Sequence, residues 1–272
     1  MSFRSPSPGA IPPEGPLRLC GIDLPSGVHL GPFDTDRRIV PVAWMTAEPV
    51  EPELLGAWMR RLAADFGRAG LWPVALAGFA GDLERPWRCG ELLGPGGNSD
   101  FDVEDFLLSP TDPQDFADPD DMAAHLGDIA PIAAVHRLGG PVEAPPAGAD
   151  ELIVPWNGSE PLALGLVPAT SPAGALSSLG WLGPTNYDLE GEAIARIAAS
   201  WQERYHLTLV GIGFDTLTLQ LPPDGLIHHE LMDLLAEVYR VCPDDYEQSD
   251  FHDLESYIEF RDFSPVLGLW WD

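Results

Sequence analysis

Apolar residues recur at helical spacing in some stretches of the chain and alternate in others. In "EPELLGAWMRRLAADFGRAG" (51–70), Leu55, Trp58, Met59, Leu62, Phe66 and Ala69 fall on one face, which predicts a helix stopped by Gly70. "RRIVPVAWM" (37–45) reads as a strand in which Pro41 marks an edge or a bulge, and "LWPVALAGF" (71–79) as a second, buried strand. Strand, helix and strand on short links predict a βαβ unit. "DPDDMAAHLG" (118–127) reads as a short helix capped by Asp118, with Pro119 at its first position and Gly127 beyond its end.

The pattern is cleaner beyond "GGPVEAPPAGADE" (139–151), whose composition is that of a linker. Strands are expected at "PLALGLVPA" (161–169), "HLTLVGIGF" (206–214), "TLTLQL" (216–221) and the closing "SPVLGLWWD" (264–272). Helices are expected at 171–180 behind Ser171 and Pro172, at 192–205, at 228–242 and at 253–260. With neighbouring helices merged, this is the βαββαβ order of a ferredoxin-like fold. The expected architecture is therefore α+β in two lobes. A disordered tail (1–16) precedes a βαβ-containing N-terminal lobe (17–138), and a linker (139–160) leads to a ferredoxin-like C-terminal domain (161–272) that ends in a buried strand. In that strand, adjacent side chains point to opposite faces, so Trp270 and Trp271 would pack on different sides.

Charge changes the functional picture more than the fold. The chain carries 43 acidic residues against 14 basic ones, a formal net charge of −29, and every basic residue is an arginine. Codon bias of a GC-rich genome or halophilic adaptation would give the same balance. A field this negative repels phosphate backbones and anionic membranes, so neither nucleic acid nor a membrane surface is an expected partner; a basic protein is. Cys20, Cys89 and Cys242 are far apart and odd in number, which argues against a disulfide framework. The N-terminus has no apolar run of signal-peptide length, and no stretch reaches the ~20 apolar residues of a membrane span, so a cytoplasmic location is expected.

Five constellations bear on chemistry. Gly211 and Gly213 in "VGIGFD" are two apart in a strand and make a flat slot on one face. An indole from Trp201, Trp270 or Trp271 would fill the slot, or a small molecule would. Asp215, in the turn that follows, reads as a turn former or as a functional carboxylate. "HHE" (228–230) with Asp233 lacks the spacing of zinc hydrolases, and His252 with Asp253 adds only a loose pair. "NSDFDVEDF" (98–106) starts like an EF-hand loop with Asn98, Asp100 and Asp102, but Val103 and Ser109 stand where Gly and Glu are required. Cys242 ends an apolar helix face, where the dipole disfavours a thiolate, so it reads as a buried structural thiol. No phosphate loop, nucleophile elbow or kinase set occurs.

The stretches "LGLVPA" (164–169), "LGWLGPTNY" (179–187), "SWQERYHLTLVGIGFDTLTLQL" (200–221), "CPDD" (242–245) and "WWD" (270–272) resemble, in order, the bacterial family called domain of unknown function 4253. "GLWPVALAGF" (70–79) and "RPW" (85–87) resemble a segment often found upstream in the family. After Cys-Pro-Asp, members continue with a Trp-Gln-Gly-like stretch, whereas this chain has "DYEQSDFHD" (245–253). The resemblance implies no activity. The functional expectation is a non-enzymatic, acidic protein-binding module of the immunity-protein kind, with no catalytic residue, cofactor or metal. The alternative is an enzyme or small-ligand-binding protein with its site at Gly211, Gly213, Asp215, Trp201, Trp270, Trp271 and Asp272.

Overall fold

The structure, a computed structural model, describes residues 6–96, 100–109, 129, 132, 135, 137–154, 160–189, 191–251 and 253–272. The helix expected at 118–127, together with Asn98 and His252, lies outside these residues.

Eight strands form one sheet: β1 (Gly15–Leu19), β2 (Ile22–Leu30), β3 (Ala43–Thr46), β4 (Leu71–Ala77), β5 (Leu162–Pro168), β6 (Thr208–Ile212), β7 (Thr216–Gln220) and β8 (Val266–Trp270). Their spatial order is β1-β2-β3-β5-β4-β6-β7-β8. Among the described residues, only the β4–β6 pair is parallel.

This order differs from the ferredoxin-like layout, and strands from both expected lobes share one sheet. β4, from the N-terminal half, lies between β5 and β6 and pairs with β5 over its full seven residues. The reason is written in β4 itself. "LWPVALA" is apolar throughout and buried at every position, and a strand without a polar face belongs where both of its faces are covered. β3 and β4 each run antiparallel to β5. The expected βαβ unit is therefore present but split, with β5 inserted between its strands. Its crossover is α1 (Pro52–Ala64), which buries Leu55, Met59 and Leu62, followed by α2 (Phe66–Ala69) and the left-handed Gly70. One cluster of buried apolar side chains runs from Leu24 to Trp271.

The segment expected as a tail is tied down where it is described. The Gly9 N–H donates to the Gly70 carbonyl at 2.7 Å, and β1 and β2 form a hairpin through Cys20 and Gly21, both at positive φ. Pro25 is the extra residue of a bulge opposite Pro16 and Leu17, which is how a proline enters this sheet. Residues 139–154 are held as well. The Val142 N–H donates to the Arg204 carbonyl, and Gln220 bonds both the Ile153 N–H and the Glu151 carbonyl.

Among the described residues, the remaining α-helices are α3 (Val103–Leu108), α4 (Gly174–Leu179), α5 (Glu192–Tyr205), α6 (His228–Val241), α7 (Asp244–Glu247) and α8 (Leu254–Phe263). Asp102 caps α3 by accepting from Glu104 and Asp105 N–H. α5 and α6 are joined by a buried ion pair. Glu237 accepts from both Arg204 Nη atoms, from Trp201 Nε1 (2.9 Å), from Tyr205 Oη (2.9 Å) and from the Gly139 N–H (3.0 Å).

β8 was expected inside the sheet but forms its edge, pairing only with β7. Three of its carbonyls that do not face β7 are nonetheless occupied. Val266 accepts from Ser264 Oγ, Gly268 from Arg261 Nη2 and Trp270 from Cys242 Sγ.

Candidate functional site

A cleft of ≈ 420 Å³ opens where five parts of the chain meet. Phe79 comes from just after β4; the loop beyond it brings Pro86 and Glu91; the segment after α4 brings Trp181, Leu182, Gly183, Thr185 and Asn186. The β6–β7 turn brings Phe214 and Asp215, and the residues after β8 bring Trp271 and Asp272.

The turn is built by close approach. The Gly213 N–H donates to the Thr216 carbonyl at 2.8 Å, and a Cβ on Gly213 would lie 2.2 Å from Thr216 Oγ1, so any larger residue would make the Thr216 hydroxyl move. The Gly213 carbonyl accepts from Trp181 Nε1 at 2.9 Å. Trp181 and Trp271 meet edge to face at 5.7 Å, and Trp271 Nε1 donates to the Val241 carbonyl. On the other side Phe79 and Phe214 lie 4.5 Å apart. The guanidinium of Arg85 sits 4.5 Å from the Phe214 centroid and 5.1 Å from that of Phe79, and its Nε lies 3.0 Å from both Glu91 carboxylate oxygens.

The C-terminal Trp-Trp-Asp is fastened residue by residue. Trp270 Nε1 donates to Asp215 Oδ2 (3.2 Å), the Trp271 N–H to the Asp215 carbonyl (3.1 Å) and the Asp272 N–H to Asp244 Oδ2 (2.9 Å). Asn186 Nδ2 donates to the Asp272 carbonyl at 2.8 Å. Trp270 stays 36% exposed while Trp271 is 2% exposed, so the two indoles meet different environments, as alternation requires.

Half-burial pushes the Asp215 carboxyl above its usual range; the Trp270 N–H pulls it back, and the charge of Asp272 adds to the rise. No arginine or histidine pairs with Asp215 or Asp272 among the described residues. The lining offers carboxylates, one amide and aromatic rings, of which Phe79 and Phe214 carry Arg85 and Trp181 and Trp271 are buried, but no imidazole, thiol or amine; its one hydroxyl, on Thr185, donates to the Leu182 carbonyl.

The sequence candidates divide accordingly. Asp215, Trp271 and Asp272 line the cleft, and Trp270 reaches it through Asp215. Gly213 shapes the turn. Gly211 lies within the sheet, paired to Ala75 on one side and Thr218 on the other. Trp201 points away, to Glu237. The indoles that reach β6 are Trp181, at Gly213, and Trp72, whose Nε1 donates to the Leu209 carbonyl. Neither was among the candidates for the slot. Phe79, Glu91, Trp181 and Asn186 were missed as site residues, although Phe79, Trp181 and Asn186 lie in "ALAGF" and "LGWLGPTNY", stretches that carry the family resemblance.

Where they are described, members of the other constellations have structural partners. Glu230 accepts from the Ile227 N–H at the start of α6, and Asp233 pairs with Arg137. Among the described residues, no three His, Cys, Asp or Glu gather as a metal site, and no helix is long and apolar enough to cross a membrane. Cys242 is buried, and burial pushes its thiol far up.

No curated protein and no solved structure matches this chain. Residues 163–272, the C-terminal part of the chain, match the family described as "Domain of unknown function (DUF4253)".

Proposed function

We propose that the protein is a non-enzymatic cytoplasmic binding protein whose target is a basic protein, received at the cleft beside Asp215. The observation that carries this reading is the composition of the cleft: aromatic faces and carboxylates without a nucleophile–base pair. The part that matches DUF4253 supplies most of the lining, and Phe79, Pro86 and Glu91 complete it from outside that part. The net charge of −29 supports a basic target and disfavours nucleic acid. This is the form of recognition used by toxin-neutralising immunity proteins.

The experiment is capture from lysate at low and high salt, with the wild-type chain and with Asp215→Arg as bait. The expected result is one stoichiometric basic partner, lost at high salt and lost with the variant. Equal capture by both baits would place the interaction elsewhere.

A second reading, an enzyme or small-ligand-binding protein at the same cleft, is favoured by two observations. The volume is that of a small-molecule site, and Asp215 has the raised pKa expected of a general acid. Turnover abolished by Asp215→Asn with binding retained would establish it.

A further inference from the structure

We infer that the outer face of α8 is a docking surface for a basic amphipathic helix of a protein partner. None of its residues lines the cleft, so this surface stands apart from it. The sequence "LESYIEFRDF" winds three stripes around one helix. At about 100° per residue, Leu254, Tyr257 and Arg261 fall on one side and are buried. Phe260 and Phe263, three residues apart, fall on a second side and are 51% and 85% exposed. Glu255, Glu259 and Asp262 fall on a third side and are exposed as well. Phe251 lengthens the aromatic stripe, with its ring centroid 5.2 Å from that of Phe260. A single exposed apolar residue is ordinary on a protein surface, whereas adjoining aromatic rings beside a line of charge form a patterned face.

The face is held from beneath. Tyr257 Oη donates to Asp245 Oδ2 at 2.6 Å, Arg261 ties Asp245 to the Gly268 carbonyl of β8, and Asp253 caps the helix by accepting from the Ser256 N–H. A surface fixed before binding loses little freedom when a partner arrives. Charge decides what that partner is. Arg261 is the one cation of α8 and is buried against Asp245, so every exposed charge on the helix is negative. A second copy of the chain would bring its own acidic stripe. Antiparallel pairing of two α8 helices sets Glu255, Glu259 and Asp262 of one against the same residues of the other, and each chain adds its net charge of −29. An anionic membrane meets the same repulsion. A basic amphipathic helix satisfies both stripes. Its apolar residues, three and four apart, cover Phe251, Phe260 and Phe263, and lysines or arginines along one border reach the three carboxylates.

The test is fluorescence anisotropy of a labelled leucine–lysine peptide, spaced to give one apolar and one basic helical face, titrated with the full chain. A leucine–glutamate peptide of the same spacing and a scrambled leucine–lysine peptide serve as comparisons. The expected result is saturable one-to-one binding of the amphipathic basic peptide, at least tenfold tighter than either comparison, with a gain in peptide helicity. Phe260→Ser with Phe263→Ser should weaken it tenfold or more, and Phe263→Ser alone, at the more exposed position, should weaken it in the same direction with the melting temperature kept. Glu255→Gln, Glu259→Gln and Asp262→Asn together should weaken it and flatten its salt dependence. Leu54→Ser, at a 47% exposed position of α1, should leave it unchanged. Absence of binding, equal binding of the scrambled peptide, or indifference to both sets of α8 variants overturns the assignment. Loss with Asp215→Arg but not with the α8 variants also overturns it and moves the peptide to the cleft, whereas failure of Asp215→Arg to alter lysate capture bears on the cleft alone. Light scattering that finds a dimer abolished by Phe263→Ser would make the occupant a second copy, and anionic vesicles bound where the peptide is not would make it a membrane; either removes the basic helix.

Discussion

Asp215 is the residue on which site and stability pull in opposite directions. Its carboxyl is raised by burial, so the ionised form is disfavoured in the folded protein relative to the unfolded chain. The stability it contributes is therefore present below the unfolded value of about 3.9 and is lost as pH rises through the higher folded value. Asp215→Asn removes the charge and keeps an acceptor for Trp270 Nε1. The variant should melt at or above the wild-type temperature at neutral pH, and the difference should close below about pH 4. A lower melting point at neutral pH would show that the charge stabilises the fold. A carboxylate held at a cost to stability is the signature of a group retained for binding or chemistry. Glu237 is the contrasting case: as deeply placed as a carboxylate can be, it has every neighbour it needs.

At the level of elements, Glu237 clamps α5 to α6 and to the segment starting at Gly139. Glu237→Ala leaves the Arg204 guanidinium buried without its partner. It should cost about 3–5 kcal/mol in urea unfolding. Replacing Arg204 and Glu237 together by apolar residues should recover much of that loss. The elements themselves were legible where one face is apolar: α5 was expected at 192–205 and occurs at Glu192–Tyr205, and α6 was expected at 228–242 and ends at Val241. The β1–β2 hairpin was not legible, because Pro16 and Pro25 read as breakers and the bulge that accommodates them is a pairing property. Strand order was hidden for a related reason. Nothing local in "LWPVALA" says which strands flank it; only its lack of a polar face hints at the centre of the sheet. The cleft was half legible. The turn and the terminal tryptophans stand out by composition, while Phe79, Glu91 and Trp181 become neighbours only once β4 has entered between β5 and β6.

For the whole molecule, 43 acidic against 14 basic residues mean that folding compresses like charges into a small volume. Raising salt from about 10 mM to about 150 mM shortens the screening length from roughly 30 Å to roughly 8 Å. The melting temperature should therefore climb over that range at neutral pH, and a flat response would mean that the acidic side chains are already too far apart to repel. Repulsion also keeps separate copies apart, but only while salt is low. At high salt the sheet must protect itself by shape, and its C-terminal edge does so. A second chain seeking to extend the sheet beyond β8 would find the carbonyls of Val266, Gly268 and Trp270 already engaged by a hydroxyl, a guanidinium and a thiol of the same chain. One of those blockers, Arg261, is itself anchored to Asp245 and Tyr257. Fibre growth from this end would thus have to begin by undoing a buried ion pair, which makes the edge a closed border whatever the ionic strength.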